Sequence, residues 1–352
     1  IKAMSASCTH EFDDFGSPYE RQMQYHSAHD IGHVMQDYML VGCTSFAVWG
    51  LESADSSLLM ARNFDFYMGE EFAKNKLVLF EKPDSGYAYV SVTWPGMTGV
   101  LSGMNVEGLT VTINASKLET PSMSATPISI LTKEILQYAS DIDEAVRIAA
   151  SRQTFVSESI LIGSAKDGRA AIIEKTPSQM AVYDPASGNP DVHHIICTNH
   201  YQSTTFRDNP VNQDNIRMSD SMWRFRRVEQ LLDSAGALTP EKAVQILRDK
   251  KGLDGEEIGY CNELAINQLL AMHSVVFSPA EHKIWVSTSP WQCGRFVCYD
   301  IDKVFASDFR CEIRNASEDI AQDPFVETED YRKVLEFKEL LPKVRKAAGE
   351  RR

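Results

Sequence analysis

The chain has 352 residues, with 49 acidic and 35 basic side chains and a formal net charge of −14. A hydrophobic fraction of 43% is too high for a disordered chain. Seven cysteines are too few for a disulfide-stapled scaffold. No apolar run approaches the ~18 residues of a membrane-spanning helix, and so acidic a chain repels phosphate backbones, so neither a membrane span nor a nucleic-acid partner is expected.

In chain order, residues 1–20 are polar and rich in turn signals, among them Gly16-Ser17-Pro18. Residues 19–39 read as a helix, although Gly32 interrupts it. From Cys43 the texture changes to short strands: 44–50, 57–65, 77–81, 87–93, 98–104 and 109–114, separated by Gly, Pro and Asn turns. Two helices are predicted next, Ile128–Tyr138 and Asp141–Arg152, the second opening on a capping-box pattern of Asp141 with Glu144. A second block of strands follows at 159–164, 170–175, 180–184 and 194–198. Helices are then predicted at 215–235 and 240–249, and a hairpin pair at 274–278 and 283–288. The tail after about residue 316 is acidic and then helical from Tyr331 to about Ala348. Tyr331, Val334, Phe337, Leu340, Leu341 and Val344 stand at helical spacing, so a docked apolar stripe is expected, with Pro342 as a kink point.

The order strands, helices, strands, helices, strands lacks the regular alternation of a parallel sheet. It predicts an α+β architecture with layered antiparallel sheets.

One position concentrates the chemistry. Cys43 follows Gly42 at the start of a strand. A thiol with a pKa of about 8.5 is only a few per cent thiolate at neutral pH and needs a base. Were Cys43 the first residue of a chain, its own α-amine, with a pKa of roughly 7.7–8, would supply one. That requires cleavage between Gly42 and Cys43, and a glycine leaves its carbonyl open to close approach. Downstream lie Arg62-Asn63-Phe64-Asp65, Gly103-Met104-Asn105-Val106-Glu107-Gly108-Leu109 ending at Asn114, Cys197-Thr198-Asn199-His200-Tyr201 and Ser221-Met222-Trp223-Arg224-Phe225. Singly each has an ordinary reading: a small buried cysteine, a surface ion pair, a turn, a helix cap.

Taken in order over roughly residues 42–300, these segments resemble the N-terminal-nucleophile hydrolases of linear amides, namely the penicillin acyltransferase branch and the choloylglycine hydrolases. The resemblance implies a four-layer α-β-β-α sandwich. It divides the chain into a prosegment at 1–42, a catalytic domain at 43–315 and a C-terminal extension at 316–352. It implies that Cys43 is the nucleophile and that Arg62 favours its thiolate. Asp65 would hold the Cys43 ammonium, Asn199 and Asn114 would donate to an oxyanion, and Arg224 would complete the charged ring, although Arg217, Arg226 and Arg227 are near it. Asn63 is read as structural. His200, Phe66 and Trp94 are candidates for the substrate cleft, where Trp49, Tyr67 and Met68 are also aromatic or soft apolar residues. The substrate would be a small-molecule amide carrying an acyl group, and no cofactor is called for. Water or an amine could resolve the thioester, giving a hydrolase or an acyltransferase. A reading of another class is an unprocessed relative that binds an acyl ligand without turnover.

Competing signals are weaker. His29 and His33 stand at i, i+4 with Asp30 between them, a spacing that can bind zinc, but Asp is a short reach for a metal-bound water and Gly32 weakens the helix. No cysteine pair has C-x-x-C spacing, so no metal site is expected; disulfide pairing stays open. A homo-oligomer is also left open. The chain begins without a charged-then-apolar leader, so either there is no signal peptide or it has been removed. The expectation leans towards a bacterial extracytoplasmic location.

Overall fold

The computed structural model describes residues 1–27, 30, 42–66, 74–122, 125–307, 310 and 313–349. His29, His33, Tyr67, Met68 and Cys311 lie outside the described residues. Thirteen strands are present: β1 (Thr44–Val48), β2 (Leu59–Phe64), β3 (Leu77–Glu81), β4 (Tyr89–Thr93), β5 (Ser102–Asn105), β6 (Leu109–Ala115), β7 (Glu158–Ser164), β8 (Arg169–Lys175), β9 (Met180–Tyr183), β10 (His194–Cys197), β11 (His273–Ser278), β12 (Lys283–Ser287) and β13 (Phe296–Asp300). The principal helices are α1 (Pro18–His26), α2 (Ile128–Tyr138), α3 (Ile142–Ala150), α4 (Pro210–Met218), α5 (Ser221–Ala235), α6 (Pro240–Leu247), α7 (Ile301–Ala306) and α8 (Glu329–Gly349).

The strands form two antiparallel sheets. One is a seven-stranded meander from β3 to β9 in chain order; the other runs β10-β1-β2-β11-β12-β13. Their facing sides bury Ala47, Met60, Val92, Met104, Leu161, Ile172, Cys197, Val275 and Phe277 in one cluster. The outer face of the meander packs Val111, Ile113, Ile160 and Ile162 on Leu131 and Ile135 of α2 and Ala145 and Ala149 of α3. The outer face of the other sheet packs Phe46, Val48, Leu59 and Ala61 on Val228 and Leu232 of α5 and Val244 and Leu247 of α6. The result is the expected four layers, α-β-β-α, with three parallel slabs of core between them.

The two-residue period of the strands positions the site. In β2, Leu59 and Ala61 point to the helices and Met60 to the facing sheet, so Arg62 points between the sheets and Asn63 to the helices. By the same parity in β1, Phe46 faces the helices and Ala47 the facing sheet, which puts Ser45 and Cys43 on the inner side and Thr44 on the outer. The β1–β2 register pairs Ser45 with Arg62 and Thr44 with Asn63.

Several expectations needed correction. The helix expected at 215–235 is two, α4 and α5, broken at Ser219 and Asp220; Ser219 is extended there, with φ −113° and ψ 170°. Strand β13 and helix α7 were not anticipated, because Phe296–Asp300 lacks a clear alternation of apolar and polar residues. The capping box at Asp141 is only half formed: Asp141 accepts from the Glu144 N–H, but the Glu144 carboxylate accepts from Ser140. The tail helix does not dock along its whole stripe. Val334 is buried, whereas Phe337, Leu340 and Val344 are 49%, 55% and 61% exposed. Its first turns alone close over a small cluster of Leu269, Cys293 and Phe325.

Several contacts anchor the N-terminal segment, among them Ser129 Oγ donating to His26 O (3.2 Å) and Tyr25 OH to Pro95 O (3.4 Å). The His26 ring donates from Nδ1 to Gln22 O (2.7 Å) and accepts at Nε2 from the Thr98 N–H (2.9 Å). Asp30 accepts from Ile128 N, at the start of α2. Among the described residues no helix is long and apolar enough to cross a membrane, and Cys8, Cys43, Cys197, Cys261, Cys293 and Cys298 are free thiols.

Candidate active site

The site lies where β1 begins, at one end of the space between the sheets. Cys43 is fully buried. Its Sγ lies 3.6 Å from Arg62 Nη2 and 3.9 Å from the Asp65 carbonyl oxygen. The Arg62 guanidinium is also fully buried and is fixed by the other sheet. It donates to Leu101 O at 2.8 Å, to Ser102 Oγ and to Ile113 O, and it stacks over Phe64 at 4.4 Å. Ser102 Oγ continues to His273 Nε2 at 2.9 Å, and burial pushes that imidazole well down, so it is neutral.

Burial pushes the Cys43 thiol up; the Arg62 charge beside it works the other way but does not outweigh burial. With the Gly42–Cys43 peptide intact, burial therefore favours the protonated thiol of Cys43. Asp65 is just as enclosed. Burial pushes its carboxyl up to about 8, against the pull of Arg224 and Arg62, and neither carboxyl oxygen has a hydrogen-bond partner among the described residues. Its backbone is tied to the residue before Cys43, because Gly42 N donates to Asp65 O at 3.0 Å.

A second network holds Cys43 from behind. Arg224, on α5, is fully buried and donates Nη1 to Cys43 O (2.6 Å) and Thr44 Oγ1 (2.9 Å), Nη2 to Asn199 Oδ1 (2.7 Å), and Nε to Asp220 Oδ2 (3.2 Å). This separates Arg224 from its neighbours: Arg226 is exposed, Arg217 pairs with Asp214 at the surface, and Arg227 pairs with Asp249. The Arg224 donor also fixes which end of the Asn199 amide is oxygen. Asn199 Nδ2 donates to Ala115 O (2.8 Å), and its second amide hydrogen has no protein acceptor among these bonds.

Asn114 points between the sheets but is committed to them, donating to Cys197 O (2.9 Å) and accepting from Ser45 Oγ (2.8 Å). His200 bonds through Nδ1 to Ser221 Oγ (2.8 Å), and burial lowers its pKa to about 4. Phe66 and Trp94 are buried in the apolar cluster that contains Cys43, Phe66 stacked on Phe64 at 5.6 Å. Asn63 faces away, donating to Leu247 O and Ile266 O. The structure thus brings Cys43, Arg62, Asp65, Asn199 and Arg224 together, with Asn114 one contact removed. It adds Ser102, Thr44 and Asp220, which sequence reasoning missed. Asp220 was within reach of it, since Asp four residues before Arg on a helix is a pairing spacing. Ser102 and Thr44 carried no such signal.

Cys43 thus lies buried between two arginines, with the Asp65 carboxyl close by, at the edge of a double-sheet sandwich. The family model for acyl-coenzyme A:6-aminopenicillanic acid acyl-transferase matches residues 52–289, more than half of the chain, and the chain belongs to that family. An uncharacterized protein of Archaeoglobus fulgidus is 25% identical over 280 residues, covering 73% of this chain; the chain spans 45% of that relative's length. Among solved structures, a Caenorhabditis elegans N-acylethanolamine-hydrolyzing acid amidase ortholog is similar at 15% identity, covering 68% of this chain and 93% of its own, with a TM-score of 0.47. Conjugated bile acid hydrolase from Clostridium perfringens is similar at 12% identity, 74% and 93% coverage and a TM-score of 0.48. Penicillin V acylase from Agrobacterium tumefaciens stands at 15% identity, 73% and 91% coverage and a TM-score of 0.46.

Proposed function

We propose that this chain is a self-processing cysteine amidohydrolase that cleaves a linear, non-peptide amide through an acyl-thioester on Cys43. The observation that carries the reading is Asp65. A buried carboxyl with no hydrogen-bond partner is costly unless something pairs with it. Cleavage between Gly42 and Cys43 creates an α-ammonium on the residue whose thiol already touches the Asp65 backbone. That ammonium is the missing partner. Once paired, the Asp65 carboxyl falls back towards the ordinary range and orients the amine.

The chemistry then follows from the residues. The free amine accepts the thiol proton, Arg62 stabilises the thiolate, and Sγ attacks the substrate carbonyl. The spare N–H of Asn199 stabilises the oxyanion. Arg224, gripping the Cys43 carbonyl and the Asn199 oxygen together, keeps nucleophile and oxyanion donor in register. The amine returns its proton to the leaving nitrogen, and water opens the thioester. The family description favours a second resolution of the same thioester, by an amine acceptor, which would make the enzyme an acyltransferase.

The test is intact-mass measurement and N-terminal sequencing of purified protein, before and after incubation with a panel of linear amides. The expected result is a new N-terminus at Cys43 and an acyl adduct on that fragment. Full activity in a chain still continuous through Gly42 and Cys43 overturns the reading.

A further inference from the structure

We propose that Gln268 is a catalytic residue of the self-cleavage step: its carboxamide N–H stabilises the oxyanion that forms on the Gly42 carbonyl oxygen when Cys43 Sγ attacks it. The inference rests on the self-processing reading above and adds a residue that this reading does not use.

Gln268 is buried and points its amide at the scissile bond. Nε2 lies 3.4 Å from Gly42 O. That is long for a ground-state hydrogen bond, and length is what an oxyanion donor shows before reaction: such donors are set for the position of the oxyanion and tighten as it forms. The glycine suits this approach: a Cβ on residue 42 would overlap the Gln268 carboxamide, so any side chain there would push the donor from its place over the carbonyl.

The loop that carries Gln268 is held rigidly. Asn267 on one side is bonded through its backbone N–H to Asp249 O (2.8 Å) and through Nδ2 to Arg248 O (3.2 Å), and its Oδ1 accepts from Leu269 N (3.0 Å). Leu269 on the other side is fully buried at φ +55°, a left-handed conformation unfavourable for a leucine. Such strain persists only where the surroundings enforce it, and here it fixes the direction of the neighbouring side chain. The arrangement is divided about the bond to be cut. Gln268 serves the carbonyl on the Gly42 side, while Arg224 and Asn199 hold the Cys43 side.

In the step itself, the Sγ–C bond forms on the Gly42 carbon, the C–N bond to Cys43 breaks, and the thiol proton ends on the released Cys43 nitrogen. Water then opens the thioester, leaving a carboxylic acid on Gly42 and restoring the thiol. Gln268 also lines an open pocket of about 330 Å³ with Tyr260, Cys261, Asn262, Glu263 and Leu270, large enough to hold several waters.

The experiment follows cleavage of the full chain by intact mass in wild type, Gln268→Leu and Gln268→Met. Both variants fill most of the space of the side chain and carry no N–H or O–H donor. Unfolding midpoints of the same substitutions in an uncuttable Cys43→Ala background report the fold. The expected result is cleavage slowed by about 10²–10³ in each folded variant. Cleavage at the wild-type rate in either folded variant overturns the role of Gln268 and leaves the self-processing reading standing. A wild-type chain that never cuts at Gly42–Cys43, alongside amide turnover by a chain begun at Cys43, overturns both.

Discussion

The two sides of Cys43 are built differently. On the side of α5, every strong group is answered: Arg224 donates to four acceptors, and both ends of the Asn199 amide are engaged. On the side of β2, Asp65 is buried without a hydrogen bond and the thiol is held protonated by burial. A satisfied buried network specifies one geometry, and an unsatisfied one stores a cost that a later partner can relieve. The first is the frame, and the second is the part that the proposed cleavage at Gly42–Cys43 would change.

The largest expected effect tests whether Cys43 is the joint between the two sides. Cys43→Ala should abolish both the new N-terminus and any acyl adduct, as read by mass spectrometry. Either surviving would remove the cysteine from the chemistry. Next come the frame residues. Arg224→Ala strands Asp220 and the Asn199 oxygen in the interior. It should destabilise an uncut Cys43→Ala background by about 3–5 kcal/mol in denaturant unfolding. Arg224→Lys should recover little of this, since an ammonium cannot span the same fork of acceptors. Asn199→Ala should lower kcat of the processed enzyme by about 10²–10³ with a smaller change in KM. An effect confined to KM would make Asn199 a binding group instead.

Asp65 gives a pH-dependent contrast of opposite sign. Its carboxyl titrates at about 8 in the folded uncut chain, against an ordinary value of 3.8. Between those values the unfolded chain has lost the proton that the folded chain keeps, so stability falls as pH rises from about 4 to 8 and levels off above. Asp65→Asn in the Cys43→Ala background should therefore be more stable than its parent at pH 8, and the gain should vanish below about pH 4. In the processed enzyme the same substitution removes the ammonium's partner, so the gain at pH 8 should shrink or reverse. A gain of equal size in cut and uncut forms would break the proposed link between Asp65 and the new amine. The smallest effect belongs to the far end of α8, where Phe337→Ser and Leu340→Ser should each stay within about 0.5 kcal/mol, because these side chains are about half exposed.

Much of the fold was legible because strand and helix periods are local. The span Ile128–Tyr138 has the predicted limits, and alternation along β1 and β2 is enough to put Cys43 and Arg62 on one face. The candidate site was legible for a chemical reason: a cysteine that attacks a carbonyl needs a base, and the proposed cleavage of the glycine–cysteine bond would supply one on the same residue. The failures have physical causes too. The tail stripe has helical spacing, but a stripe says only that a face could be buried, and no neighbouring layer reaches Phe337 or Val344. The break between α4 and α5 depends on Ser219 leaving the helix, which no local period announces, whereas the Asp220–Arg224 pair beside it is a local i, i+4 contact.

Sequence by itself determined the class of the chain, its layered α+β architecture and the residues around Cys43. Those properties follow from local periods and from residue types whose chemistry is their own. Tertiary structure alone decided which arginine grips the Cys43 carbonyl, that Asn114 is tied up between the sheets, and that Gln268, 226 residues away in the chain, meets the Gly42 carbonyl. Contacts at that separation depend on how layers stack and where loops are pinned, and no spacing along the chain encodes them.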